Sequence, residues 1–214
     1  MKSNRAGKLF KILFLNKFNR KIFNQMLDNA PKKRYEVISS LINDNGFNSF
    51  VEVGVWKGEN LFEVADSCKC LGLIIGIDPY NENDYVKKTF FKEVTSAEPS
   101  QEVKDGVFND VLMEASEDER IIIKRNKSVN AAKEIIDGSI DIVFIDGNHS
   151  YKSVKEDIKA WLPKVRAGGF LCGHNYELKY FSVIKAVNNV LGSDNIKLFP
   201  TCSIWCYKVT KRGG

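Results

Sequence analysis

Val51-Glu52-Val53-Gly54-Val55-Trp56-Lys57-Gly58 is the stretch that decides the fold. A short apolar run over residues 49–53 ends in a glycine turn, and residues 59–68 follow at helical spacing. A strand that passes at once into a helix through glycines is the opening unit of an open α/β sheet. Glycine lets the backbone turn tightly there and bring bare N–H groups against a ligand. The spacing is E-x-G-x-x-x-G, with one glycine in the turn itself. It therefore differs from the G-x-G-x-x-G loop that cradles a pyrophosphate.

Towards the C-terminus the alternation repeats. Residues 73–77 form a second apolar run, closed by Asp78-Pro79. The pattern then predicts a helix over 103–115, a strand over 121–124 and a short helix over 131–136. Residues 141–145 are apolar almost without alternation, as expected of a strand covered on both faces. A helix over 154–162 with Trp161 inward, a strand over 170–172 after Gly168-Gly169, a helix over 180–190 and closing strands over 196–199 and 203–209 complete the reading. Residues 80–100 carry the least pattern and read as a loop or insertion. Strands alternating with helices predict an α/β fold, a doubly wound, Rossmann-like, mostly parallel sheet.

Towards the N-terminus, a helix is expected over 32–43, ending near Gly46, with Pro31 breaking the chain before it. Residues 8–27 read as a basic amphipathic helix, with Leu9, Ile12, Leu13, Phe18, Ile22, Phe23 and Met26 at helical spacing. The organisation expected is an N-terminal helical extension over 1–48 and one domain over 49–214.

The net charge of +5 comes from the N-terminus, where Lys2, Arg5, Lys8, Lys11, Lys17, Arg20 and Lys21 precede the first acid, Asp28. The remainder is close to neutral, so the basic footprint of a nucleic-acid binder is missing. The apolar run 9–15 is short and interrupted by Lys11, unlike a secretory signal. No apolar run approaches the roughly 18 residues of a membrane span. The basic helix fits a cover over the core or site, or a homodimer element, better than a membrane-surface helix. Cys68, Cys70, Cys172, Cys202 and Cys206 lack zinc spacing and read as reduced, mostly buried thiols of a cytoplasmic protein.

Candidate chemistry gathers at strand ends. A carboxylate closing the second strand, Asp78, can accept two hydrogen bonds from a ribose diol. Asp146, His149 and Tyr151 fall just past the fourth strand, and His174 and Asn175 just past the fifth. Both histidines of the chain thus lie at the carboxyl edge of the sheet, where open α/β folds bind ligands.

On Glu52, Gly54, Gly58 and Asp78, the chain resembles class I S-adenosylmethionine (SAM)-dependent methyltransferases over roughly residues 50–170. The resemblance implies that the first loop holds the methionine part of SAM, with Glu52 reaching its ammonium or a water. It implies that Asp78 takes the ribose, that Asn126-Lys127-Ser128 lines adenine, and that Asp146 closes the cofactor site. Asp78-Pro79-Tyr80 looks like part of a DNA amino-methyltransferase motif, but follows the wrong strand.

The block from Asp146-Gly147-Asn148-His149-Ser150-Tyr151 through Gly168-Gly169 to His174-Asn175 resembles the macrocin O-methyltransferase and cephalosporin-hydroxylase-like family, methyltransferase family 24. It is also similar to catechol O-methyltransferase-like enzymes. These resemblances imply Mg²⁺ held by Asp146, His174 and Asn175. His174 stands where relatives have an aspartate. One carboxylate, one amide and an imidazole make a poor magnesium set, and the imidazole suits a softer metal. Three alternatives stay open: Mg²⁺ with waters, another divalent metal, or a metal-free site in which His149 is the general base. Asp157 reads as a solvated or capping group, and Tyr151 as a core, lid or substrate-contact residue.

The expected function is SAM-dependent methylation of a hydroxyl on a small molecule or sugar, by in-line SN2 transfer. The alternatives are a SAM-fold hydroxylase-like or inactive binding protein, and an NAD(P)-dependent oxidoreductase, which the single turn glycine argues against.

Overall fold

A computed structural model describes residues 33–81 and 99–210. The basic segment 8–27 and most of the loop 80–100 lie outside the described residues. The elements are α1 (Arg34–Asn45), β1 (Ser49–Val53), α2 (Glu59–Ser67), β2 (Leu73–Asp78), α3 (Gln101–Ala115), β3 (Ile121–Arg125) and α4 (Ser128–Lys133). They continue as β4 (Ile140–Ile145), α5 (Tyr151–Trp161), β5 (Val165–Gly173), α6 (Phe181–Leu191), β6 (Ile196–Phe199) and β7 (Ile204–Lys208).

The strands form one seven-stranded sheet in the order β3-β2-β1-β4-β5-β7-β6. Pairings from β3 through β5 are parallel, and β7 runs antiparallel to both β5 and β6. The strand order reverses between β1 and β4. That switch point opens a crevice at the carboxyl ends of the two strands.

Side chains alternate across the sheet with period two. Val51, Val53, Ile75, Ile77, Val143 and Ile145 face one core, which α4, α5 and α6 cover through Ala131, Ile158, Trp161 and Val187. Phe50, Ile74, Ile142 and Phe144 face the other, covered by α1, α2 and α3 through Ile38, Ile42, Leu61, Val64 and Val111. Apolar side chains on both faces explain why β4 reads as a continuous apolar run. Helix α1 is part of the second core: Val37, Ile38 and Ile42 are at most 1% exposed. Its C-terminus is closed by Gly46 in the left-handed conformation (φ 60°).

Two sequence expectations need correction. Strand β5 begins at Val165 and runs through the glycine pair, where the sequence predicts a strand only from Phe170. The register shifts from Ile140↔Val165 to Ile142↔Phe170. Gly169 passes so close to β4 that a Cβ would stand 2.3 Å from the Asp141 carbonyl oxygen, so the glycine serves a strand irregularity as well as a turn. The five cysteines are also not all thiols. Cys172 of β5 and Cys206 of β7 are register partners and form a disulfide, while Cys68, Cys70 and Cys202 are free.

Candidate active site

The loop after β1 is fixed by close packing. Gly54 (φ 91°) donates its N–H to the Ile77 carbonyl at 2.8 Å, and a Cβ there would lie 2.3 Å from the Asp146 carbonyl oxygen. Gly58 (φ 80°) caps α2 and packs under the Phe62 ring. The loops after β1 and β4 therefore touch backbone to backbone at the switch point, which excludes any side chain at position 54.

Among the described residues, four other than glycine adopt positive φ: Trp56 (49°), Tyr80 (45°), Asn175 (58°) and Ser203 (53°). The first three follow β1, β2 and β5, and Ser203 precedes the antiparallel β7. All four sit on the same edge of the sheet. Backbone strain of this kind gathers at functional sites, held in place by the surrounding structure.

Asp78 is 3% exposed, and its two oxygens accept the Trp56 N–H (3.0 Å) and the Tyr80 N–H (2.9 Å). The Tyr80 hydroxyl donates to the Trp56 carbonyl (2.8 Å), which ties both strained residues to this carboxylate. Glu52 is 2% exposed and accepts a hydrogen bond from Asn60 Nδ2 (3.0 Å). Burial pushes the Glu52 carboxyl up to about 8. The Asn60 bond and Arg34 pull the other way, while the negative charges of Asp146 and Asp78 add to the rise. Asn60 Oδ1 is buried without a hydrogen-bond partner beside it.

At the end of β4, the Asp146 side chain is 8% exposed. Arg34 of α1 donates to Oδ2, and His174 Nδ1 lies 3.2 Å from Oδ1. Burial alone would raise the Asp146 carboxyl. The neighbouring His149 and His174 side chains, with the His174 and Arg34 charges, outweigh it and hold the group below the usual carboxylate range. His149 Nε2 stands 3.8 Å from Asp146 Oδ1, beyond hydrogen-bond distance, and is buried without a partner. The His149 ring packs at 4.7 Å against that of Tyr180, and its backbone oxygen accepts the Ser182 hydroxyl (2.6 Å).

A cleft of about 500 Å³ opens beside these groups, between α1, α2 and the ends of β5 and β7. Arg34, Asn60, Glu63, His174 and Ser203 line it. The volume is that of an ordinary small-molecule site.

The structure thus brings Glu52, Gly54, Asp78, Asp146, His149, His174 and Asn175 to one edge. Ser128 is different. It opens α4, and its hydroxyl accepts the Trp161 indole N–H (2.9 Å) and bonds Asp157 beneath it. Asp157, expected to be solvated or capping, is 5% exposed. Burial pushes its carboxyl up to about 6 against the opposing Ser128 bond, with Glu156 adding to the rise. Tyr151 turns to α6, where its hydroxyl accepts from Asn189 (3.2 Å). Tyr151 and Lys155 have Tyr-x-x-x-Lys spacing, so the oxidoreductase alternative has that pair available, though on the α6 side. Sequence reading misses Arg34, 112 positions from its partner, and Asn60.

The residues fit an adenosyl amino acid: a buried carboxylate and an unpaired amide oxygen at the first loop, and a held carboxylate after β2. They do not fit a divalent cation. Asp146 is shared between Arg34 and His174, and among the described residues no group of three His, Cys, Asp or Glu side chains is arranged to hold a metal ion. The expected set of Asp146, His174 and Asn175 would place a dication against a guanidinium.

This sheet order and this edge define the class I SAM-dependent methyltransferase architecture. Residues 51–176 match the methyltransferase domain family, and the chain belongs to that family. An uncharacterized protein of Acanthamoeba polyphaga mimivirus is 28% identical over 148 residues, 67% of this chain and 59% of that protein. The chain thus spans little more than half of that relative's length. A putative O-methyltransferase from Klebsiella pneumoniae shares the fold, with TM-score 0.58 and 12% identity over 96% of each chain. So does a methyltransferase of Podospora anserina bound to S-adenosylhomocysteine (SAH), with TM-score 0.58 and 11% identity over 83% of this chain and 78% of that one. The family match removes the oxidoreductase alternative.

Proposed function

We propose that the chain transfers a methyl group from SAM to a hydroxyl oxygen of a small molecule or sugar, with His149 as the general base. The observation that carries this reading is His149 Nε2, buried, without a hydrogen bond and 3.8 Å from the ionised Asp146 at the switch-point edge. The Klebsiella pneumoniae neighbour, a putative O-methyltransferase, supports the choice of oxygen as acceptor.

When bound, SAM supplies an electrophilic methyl group on a sulfonium. Glu52 and Asn60 would hold the ammonium, the Gly54–Gly58 loop the methionine part, and Asp78 the ribose diol. The adenine pocket includes residues 126–128, with the backbone at Ser128 in reach because its hydroxyl is engaged by Trp161 and Asp157. In the transfer that bound SAM would supply, with its methyl passing from sulfur to the acceptor oxygen, His149 would take the proton that the hydroxyl loses. Asp146 stabilises the resulting imidazolium. Alignment of the two reactants supplies most of the acceleration. The donor set at Asp146 gives a divalent metal no part in these steps.

The test is product formation by the full chain with SAM and a panel of phenols, catechols and sugars, read by mass spectrometry. A methyl ether formed by wild type and reduced about 100-fold or more in His149→Ala supports the reading. Undiminished turnover in His149→Ala removes the base assignment. Methylation confined to amines or thiols removes the oxygen acceptor.

A further inference from the structure

We infer that Arg34 is a built-in cation of the transfer site. Its guanidinium takes up, at Asp146, the place and charge that a divalent metal would need, and presents its remaining donors to the acceptor in the cleft. The inference rests on the reading of this edge as the transfer site.

Three observations meet here. Arg34 of α1 bonds Asp146 Oδ2, across 112 positions of sequence, at the end of β4. The other oxygen of Asp146 faces His174 Nδ1 at 3.2 Å, so the two ends of this buried carboxylate are both engaged by nitrogen donors. The Arg34 side chain is 37% exposed and lines the cleft together with Asn60, His174 and Ser203.

A guanidinium carries five donors in a fixed fork and stays charged at every working pH. One donor on Asp146 leaves others for an oxygen in the cleft. Positive charge beside an acceptor hydroxyl favours its oxyanion as the proton leaves for His149. The same charge disfavours a dication on Asp146. Asn175 Oδ1, buried and without a hydrogen-bond partner, remains an acceptor on the same loop and belongs to the organic ligand in this account.

The fixed position of the charge comes from the fold. Arg34 opens α1, whose Val37, Ile38 and Ile42 are locked into the core beneath. Packing of the first described helix therefore sets where the cation stands, and no ion has to be recruited.

The probe is Mn²⁺, titrated by calorimetry and electron paramagnetic resonance into the full chain. Wild type is expected to show no Mn²⁺ site at millimolar concentration, with or without SAH. Arg34→Asp, which replaces the guanidinium by a carboxylate, is expected to gain Mn²⁺ affinity by at least about tenfold. Adding Asp146→Asn to that variant is expected to remove the gain. Arg34→Lys keeps the charge and is expected to stay without a site. Mn²⁺ binding by wild type that is lost in Asp146→Asn overturns the inference. So does a folded Arg34→Asp protein with no gain, or an Arg34→Lys protein that binds as Arg34→Asp does. Failure of the transfer-site reading itself shows separately, as absence of SAH binding.

Discussion

Strand β4 has an aspartate near its amino end and is followed by another at its carboxyl end, and the two ends do different work. Asp141, near its amino end, is fully engaged by the fold. Its carboxylate accepts the N–H groups of Asn48 and Ser49 (both 2.8 Å), the Ser49 hydroxyl (2.9 Å) and the Arg166 guanidinium. Burial opposes its charge, and Arg166 with these donors more than offsets that, so its carboxyl lies below the ordinary range. Asp146, at the carboxyl end, is also ionised, but its neighbours are side chains alone: Arg34, His174 and the more distant His149. Around it Asn60 Oδ1, His149 Nε2 and Asn175 Oδ1 are buried and unpaired. A carboxylate surrounded by backbone donors is a strut. A carboxylate surrounded by unsatisfied side chains is waiting for a ligand.

This contrast is open to direct attack. The largest effect is expected at the ligand end. Asp146→Asn should cut turnover by about 1,000-fold, through loss of both the His149 partner and the Arg34 anchor. Its urea midpoint should move little, because Arg34 is partly in water. A turnover within threefold of wild type would erase the distinction. The opposite pattern is expected at the other end. Asp141→Ala strands buried donors and should lower stability by about 3 kcal/mol, with SAM affinity of the folded protein unchanged. Denaturant titration and calorimetry on the same samples separate the two cases.

Glu52 sharpens the comparison through pH. Its folded value of about 8 lies above the ordinary glutamate value of 4.5. A raised value contributes stability below 4.5 that is lost as pH climbs through 8. The ligand-free protein should therefore weaken progressively between about pH 4.5 and 8, and Glu52→Gln should flatten that slope. An ammonium placed beside Glu52 favours the carboxylate, so SAM binding near pH 7 should release about one proton, read from the buffer dependence of the binding enthalpy. Equal slopes for wild type and Glu52→Gln would place the group in water. The smallest effect belongs to Asp157, whose carboxyl sits at about 6, above the ordinary aspartate value of 3.8. Stability from the raised value is lost between these limits, and Asp157→Asn should change stability at pH 7 by only about 1 kcal/mol, leaving turnover in place.

What could be read in the sequence follows from how local each signal is. Gly54, Gly58 and Asp78 are legible because a turn after a strand and a carboxylate at its end are written in consecutive residues. The placement of Asp146, His149, His174 and Asn175 at one edge follows from counting strands. The partners of those residues are not written locally. Arg34 meets Asp146 only because α1 packs on the face opposite α4, α5 and α6. Asp157 is buried because α5 turns it towards Ser128, and a helix position alone does not say which face is covered. The start of β5 is obscured by Gly168-Gly169, which look like a turn and in fact let the strand pass against Asp141. The Cys172–Cys206 pair depends on the register of β7 against β5, which no spacing in the sequence records.

The most direct test of the account is calorimetric titration of SAM and SAH into the full chain, with NADH as control and Asp78→Ala beside wild type. Micromolar binding of both adenosyl ligands by wild type, its loss in Asp78→Ala and no NADH binding are the predicted results. A wild-type protein that is folded and binds neither SAM nor SAH would contradict the account at its centre.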